Sequence, residues 1–336
     1  MEKSYIKAIS YYLPERILTN EELANDFPEW NVEKISKKIG VECRHISAVD
    51  ETAGDMAEKA ALMLFQEWAI KPDDIDFILL CTQSPDYFLP TTACVLQDRL
   101  RIPSNAGALD FNLGCSGYVY GLALAKGLIA SGTAKNIMLI TSETYSKHIH
   151  PRDKGNKTIF GDAAAATLIS DSGFAGIGEF ELGTDGNGSR NLIVKNGGMR
   201  HKQPSNEVSA DENGSINTSD YLYMNGPEIF SFTLETVPDN VSKTLKRNNL
   251  AMDDIGLFIF HQANKYMLEF LRKKIKIPEE KFYFKMNDVG NTVSSTIPIA
   301  LKEAISEKRI SKGDLIFITG FGVGYSWGGC VLSLEI

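Results

Sequence analysis

Asp73-Asp-Ile-Asp-Phe-Ile-Leu-Leu-Cys81 and Asp253-Asp-Ile-Gly-Leu-Phe-Ile-Phe260 are the two stretches that decide the fold. In each, an acidic turn leads into a short run of large apolar residues, the pattern of a strand buried on both faces. The second begins 180 positions after the first. Residues 75–81 read as a strand apart from Asp76, and Leu257–Phe260 read as its counterpart. Residues 137–141 and 315–319 form a second pair, 178 positions apart. Two strand pairs at nearly equal offsets predict a duplicated chain, with halves 1–172 and 173–336. Helical periodicity lies between the strands: in residues 54–69, Met56, Ala60, Leu64 and Trp68 recur every fourth position. Strands alternating with helices predict parallel βαβ units and an α/β fold.

Composition narrows the function classes. With 43% hydrophobic residues in 336, the chain can bury a large core, which excludes wholesale disorder. Thirty-five basic against 43 acidic side chains leave a charge of −8, so the basic footprint of a nucleic-acid binder is missing. Five cysteines without a CxxC, and five histidines without HExxH, argue against a disulfide scaffold and a structural zinc site. A reducing, cytoplasmic setting is expected. The N-terminus has no apolar signal-peptide core, and no run approaches the roughly 18 apolar residues of a membrane span. Residues 185–220, rich in Gly, Asn and Ser, read as a surface excursion or as cover for an active-site mouth.

Three residues stand out chemically. Cys115 lies in Asn112-Leu-Gly-Cys-Ser-Gly117, a small-residue turn before a helical stretch, where a helix dipole favours thiolate. An inert structural thiol is the alternative. His261 directly follows the strand Leu257–Phe260, at the carboxyl end where α/β sheets place ligands. Asn291 lies in Asn287-Asp-Val-Gly-Asn-Thr-Val-Ser-Ser295, a turn before the helical stretch 297–306. Shifting Cys115 by 180 places it at Ser295, so the asparagine loop is the second half's counterpart of the cysteine loop. Gly320-Phe-Gly-Val-Gly-Tyr-Ser-Trp-Gly-Gly329 is not a dinucleotide fingerprint, because Trp327 stands where the third glycine belongs. A loop offering backbone N–H groups to an oxyanion is expected there.

These residues resemble the β-ketoacyl-acyl-carrier-protein synthase III family of the thiolase superfamily. Arg44-His-Ile46, Phe160-Gly-Asp-Ala-Ala-Ala165, His261-Gln-Ala-Asn264, Gly290-Asn-Thr292 and the glycine-rich 320–328 carry the resemblance over nearly the whole chain. It implies a thiolase fold of two βαβαβαββ halves in five layers, αβαβα, and a homodimer. It implies a triad of Cys115, His261 and Asn291, with Cys115 and Val323 offering oxyanion N–H groups. Cys115 takes a primer acyl group from acyl-CoA or an acyl-carrier protein. His261 and Asn291 hydrogen-bond the thioester carbonyl of carrier-bound malonate as CO₂ leaves. No metal or redox cofactor is implied.

The resemblance also implies contacts to CoA or substrate at Trp30, Lys38, Lys154 and Asn264. Trp30 lies two positions further from the Arg44-His-Ile46 motif than is usual, and lysine replaces arginine at 38 and 154, losing the planar fork. Carrier-protein docking is expected at Lys265, Arg272, Lys273 and Lys274, with Tyr266 in place of the family's docking arginine. Leu89, with Phe88 beside it, stands where a residue reaches across the dimer to floor the acyl pocket. Two other functions compete. One is an acyltransferase or non-decarboxylative condensing enzyme, for which Asp86 or Glu143 would be the base; the other is a non-catalytic partner subunit.

Overall fold

A computed structural model describes residues 3–27, 31–210 and 216–335. Nine strands form one sheet system: β1 (Tyr5–Tyr12), β2 (Phe77–Cys81), β3 (Gly107–Phe111), β4 (Ile137–Glu143), β5 (Ala163–Ser170), β6 (Ala175–Thr184), β7 (Leu257–Phe260), β8 (Leu315–Gly322) and β9 (Ser326–Leu334). The packing helices are α1 (Ala53–Trp68), α2 (Thr92–Arg99), α3 (Gly117–Ala130), α4 (Gly226–Arg247), α5 (Lys265–Ile275) and α6 (Thr296–Ser306).

The order β1-β5-β4-β2-β3 runs antiparallel, antiparallel, parallel, parallel. β6-β9-β8-β7 repeats the first three relations, and a parallel bridge from Phe258 to Phe282 supplies the fourth. Only two residue pairs, Tyr5 with Gly176 and Ile6 with Ala175, join β1 to β6. Three cores separate the layers. One face of the β1–β5 set packs on α1 and α2 through Met56, Leu64, Leu96 and Ile140. α3 and α6 lie between the two sets, with Val119, Leu122, Ile297 and Leu301 in the largest core. α4 and α5 cover the outer face of the second set through Val241, Leu268 and Phe317. The result is the expected five-layer αβαβα arrangement.

Two boundaries differ from the sequence reading for physical reasons. β2 begins at Phe77, because Asp76 leaves the strand and its carboxylate accepts the N–H groups of Lys135 and Asn136 at 2.9 Å. That carboxylate thereby fixes the start of β4. In α1 the stripe Met56, Ala60, Leu64 is fully buried, but Trp68 is 44% exposed. A spacing of four drifts by about 40° per step around a helix of 3.6 residues per turn, which carries the fourth member off the core face. The helix is started by a reciprocal cap, Thr52 accepting from Asp55 N–H and Asp55 from Thr52 N–H.

Candidate active site

The cysteine loop leaves β3 and turns sharply, with Gly117 N–H donating to Gly114 C=O at 2.8 Å. α3 starts at Gly117, so Cys115 does sit at a helix N-terminus. The end of β8 passes directly against it: a Cβ on Gly322 would stand 2.9 Å from Cys115 Sγ, so only glycine fits. Cys115 is 7% exposed. Burial pushes its thiol up to about 12, and the nearby Glu143 carboxylate pushes the same way. The N–H groups of Cys115 itself and Val323 oppose this, which places both donors at the sulfur. Burial therefore works against the thiolate that the helix N-terminus favours.

His261 leaves β7 with its N–H on Thr319 C=O at 2.8 Å. Its imidazole is buried, which pushes it down to about 3 and keeps it neutral. Nδ1 lies 2.8 Å from Thr296 Oγ1, in the first turn of α6. Asn291 is held from both sides by the 159–161 segment: its N–H donates to Ile159 C=O at 2.9 Å and its C=O accepts from Gly161 N–H at 3.0 Å. Asn291 Oδ1 accepts Val293 N–H at 2.9 Å. Behind this junction the fully buried Arg44 guanidinium donates to Asn20 and to the carbonyls of Leu18 and Thr158. The Arg44-His-Ile46 motif thus acts as a strut behind the asparagine loop.

Cys115, His261 and Asn291 all line one cavity of about 720 Å³, with Phe160, Leu192 and Met224 among its apolar walls. Leu192, within the 185–220 excursion, pairs in a two-strand ladder with Met224 just beyond it, and both line the cavity. Lys38 and Asn264 also line the cavity; Asn264 caps α5, accepting Met267 N–H at 2.9 Å. Lys154 stands beside the lining residue Gly155. Trp30 lies outside the described residues.

The remaining predicted contacts separate from this cavity. Phe88 and Leu89 are 81% and 82% exposed and do not line it in a single chain. On α5, Met267, Leu268 and Leu271 face inward as the spacing predicts. Lys265, Lys273 and Lys274 are exposed. Arg272 is not: its guanidinium donates to Glu269 at 2.9 Å and to Ile277 C=O at 3.3 Å, closing the end of its own helix. It is withdrawn from the docking group. Sequence reasoning missed that Tyr266 clusters with Phe230 and Phe270, centroids 4.9–5.7 Å apart, and that Phe230 and Tyr266 line the cavity. It also missed Thr296 and Val293, whose neighbours were legible only as turn residues.

Both acidic candidates are held by hydrogen bonds to neighbouring segments. Asp86 accepts Gly54 N–H at 2.9 Å, at the start of α1. Glu143 is fully buried and accepts Gln83 N–H at 2.9 Å and Ser84 Oγ–H at 3.0 Å. Burial pushes its carboxyl up to about 8.

Comparison with known proteins agrees with this architecture. Residues 109–186 match the family described as 3-oxoacyl-[acyl-carrier-protein] synthase III, and residues 245–334 match its C-terminal part. A β-ketoacyl-[acyl-carrier-protein] synthase III from Clostridium perfringens is 36% identical over 335 residues, covering 99% of this chain and 100% of that one. A solved structure of a 3-oxoacyl-(acyl-carrier-protein) synthase III is 47% identical, with TM-score 0.96, over 99% of this chain and 100% of the other. A 3-oxoacyl-(acyl-carrier protein) synthase from Burkholderia xenovorans follows at 36% and 0.90, over 99% and 94%. Matched along its whole length in both sequence and layer order, the chain belongs to the β-ketoacyl-acyl-carrier-protein synthase III family, with the thiolase fold.

Proposed function

We propose that this protein is an acyltransferase that condenses a primer acyl thioester with malonyl-acyl-carrier protein, releasing CO₂, at the priming step of fatty-acid or related acyl-chain synthesis. The observation that carries the reading is the convergence of Cys115, His261 and Asn291 on one apolar cavity. The half 1–172 supplies the nucleophile, and the half 173–336 supplies the other two.

In acylation Cys115 Sγ attacks the primer carbonyl. The N–H groups of Cys115 and Val323 receive the oxyanion, each such donor being worth about 3–4 kcal/mol of barrier. The thiol proton passes through His261 to the departing thiolate, giving acyl-Cys115 and a free carrier thiol. In condensation the malonyl thioester carbonyl accepts hydrogen bonds from Asn291 Nδ2 and His261, which stabilises the enolate left when CO₂ departs. The enolate carbon attacks acyl-Cys115, the C–S bond breaks, and the sulfur leaves as thiolate and takes a proton from solvent. The thioesters bring their own activation, so the scheme needs no cofactor.

Lys38, Lys154, Asn264 and Trp30 are read as contacts to the carrier arm or CoA. Lys265, Lys273 and Lys274 are read as basic contacts for an acidic carrier protein. A cytoplasmic homodimer completes the proposal; among the described residues no helix is long and apolar enough to cross a membrane. A non-decarboxylative condensation would need a carboxylate base; Glu143, whose charge acts on the Cys115 thiol, accepts Gln83 N–H and Ser84 Oγ–H.

Intact mass measurement after mixing the protein with acyl-CoAs and acyl-carrier proteins, without malonate, tests the reading. One acyl increment that maps to Cys115 is expected. An adduct on another cysteine, or none with any primer, overturns it.

A further inference from the structure

The residues described as lining the cavity include a single cation, Lys38, and no arginine, aspartate or glutamate. Two kinds of donor carry an acyl group on the same thiol arm. The arm of CoA ends in a diphosphate and a nucleoside that bears a further phosphate. The arm of a carrier protein ends in a single phosphodiester on an acidic protein. Phosphate groups are held by forked arginines or by several cations together. One lysine, a point charge, matches the single phosphodiester and falls short of the charge on CoA.

What surrounds that lysine is aromatic. Lys38 Nζ lies 6.0 Å from the centroid of the Tyr266 ring. Tyr266 and Phe270, four positions apart on α5, share one face of the helix and pack on each other and on Phe230 of α4. They are 46% and 45% exposed. Tyr266 and Phe230 line the cavity and Phe270 does not, so the rings continue from the cavity onto the outer surface. A nucleotide base covers one ring. A ledge of rings along a helix is covered by a protein surface, and exposed aromatic side chains are the usual anchors of such interfaces. Lys265, Lys273 and Lys274 are exposed on the same helix, in a chain whose net charge is −8. Glu269, the one acidic residue of α5, is engaged by Arg272 at 2.9 Å and by Lys273 at 3.8 Å. Aromatic rings flanked by cations complement an acidic partner with an apolar patch.

We propose that the primer reaches Cys115 on an acyl-carrier protein whose surface covers Tyr266 and Phe270, and that CoA thioesters are the poorer donors. The transfer balances. The new C–S bond to Cys115 replaces the C–S bond to the carrier's arm, and the thiol proton of Cys115 ends on the departing carrier thiol. The inference rests on the proposed acylation of Cys115 but is separable from it, because CoA thioesters test that acylation without any carrier.

The experiment presents one acyl group, butyryl, to the protein on CoA and on the acyl-carrier protein of the same cell, without malonate. Single-turnover samples are quenched and weighed, and the two second-order rate constants give a donor ratio. The carrier is expected to exceed CoA by about 10-fold or more, the scale of one interface anchor. Phe270→Asp sets a negative charge on the ledge outside the cavity and should lower this ratio about 10-fold. Phe270→Ala should lower it less, and Phe270→Tyr should keep it. A CoA rate equal to or above the carrier rate in the unmodified protein overturns the proposal. So does a Phe270→Asp protein with an unchanged ratio, whether neither rate moves or both fall alike. A fall in both rates with a change in sedimenting mass assigns the ledge to a second copy of the chain and overturns the proposal too. If Phe270→Asp fails to fold, the ratios of the unmodified and Phe270→Ala proteins still decide. If neither donor acylates Cys115, the proposed function itself fails and takes this inference with it.

Discussion

Glu143, a fully buried carboxyl group whose charge acts on the buried Cys115 thiol, leaves a signature in pH. Glu143 ionises near 4.5 in an unfolded chain and near 8 in the fold, because burial disfavours its charge. Between those values the native state keeps a proton that the unfolded chain has lost, so stability falls as pH rises. The buried His261 works in the opposite sense: held neutral down to about 3, it weakens the fold only below about 6.5. The interval from pH 6.5 to 8 therefore isolates Glu143 from the histidine, and about 2 kcal/mol should be lost across it. Denaturant titrations should show this slope in the unmodified protein and a flatter one in Glu143→Gln; equal slopes would refute the assignment. Removing the charge should also make the Cys115 thiolate easier to form, since Glu143 raises that thiol. Alkylation of Cys115 by iodoacetamide at pH 8.5 should be severalfold faster in Glu143→Gln. A rate unchanged or slower means the two groups are not coupled.

At the scale of elements, the 185–225 region shows how a segment without periodicity is held in place. Asp220 accepts Asn196 Nδ2–H at 2.7 Å and the N–H groups of Ser205 and Asn206 at 2.8 and 2.7 Å. One half-buried carboxylate gathers three points of the excursion, and Leu192 and Met224 to either side wall the cavity. Asp220→Ala should release the segment. KM for the primer should rise several-fold with kcat little changed, and trypsin should cut within 195–202 faster. A normal KM together with rapid cutting would show that the clamp and the cavity wall are independent. Here too lies the limit of what a sequence reveals. Leu257–Phe260 was legible to the residue because a strand covered on both faces has no polar position to blur its ends. The duplicated strand pairs were legible because apolar runs and acidic turns keep their spacing. The loops carrying Cys115, His261 and Asn291 were legible from strand ends and small residues. The burial that pushes the Cys115 thiol up was not, because β8 packs against it from 200 residues away. Nor was the turn through Val293, since a positive φ at a valine leaves no mark in composition. Arg272 misled because a basic residue at a helix end serves docking and capping equally well until its partners are seen.

The molecule as a whole carries one surface that water does not suit. Tyr87, Phe88 and Leu89 are consecutive, and are 61%, 81% and 82% exposed in the single chain. Large apolar side chains this exposed in a row mark a contact surface, and a second copy of the chain is the proposed partner. Sedimentation should give twice the monomer mass, and Phe88→Asp should shift it toward one. Should the tripeptide enter the partner's cavity, Leu89 sets the depth available to the acyl chain. Leucine is smaller and more flexible than phenylalanine, so the pocket extends by a few methylenes, each worth about 0.8 kcal/mol when newly buried. That is enough for a several-fold preference per carbon. Primers longer than acetyl are therefore expected to be accepted, and Leu89→Phe should move preference back toward acetyl. Competition among acetyl, butyryl, hexanoyl and octanoyl thioesters measures this directly. Exclusive use of acetyl by the unmodified protein refutes the idea, and so does an unshifted Leu89→Phe. Leu89→Asp separates the two functions of the segment. If dissociation alone governed chain length, its monomer would lose selectivity along with activity, whereas Leu89→Phe must stay dimeric while its selectivity changes.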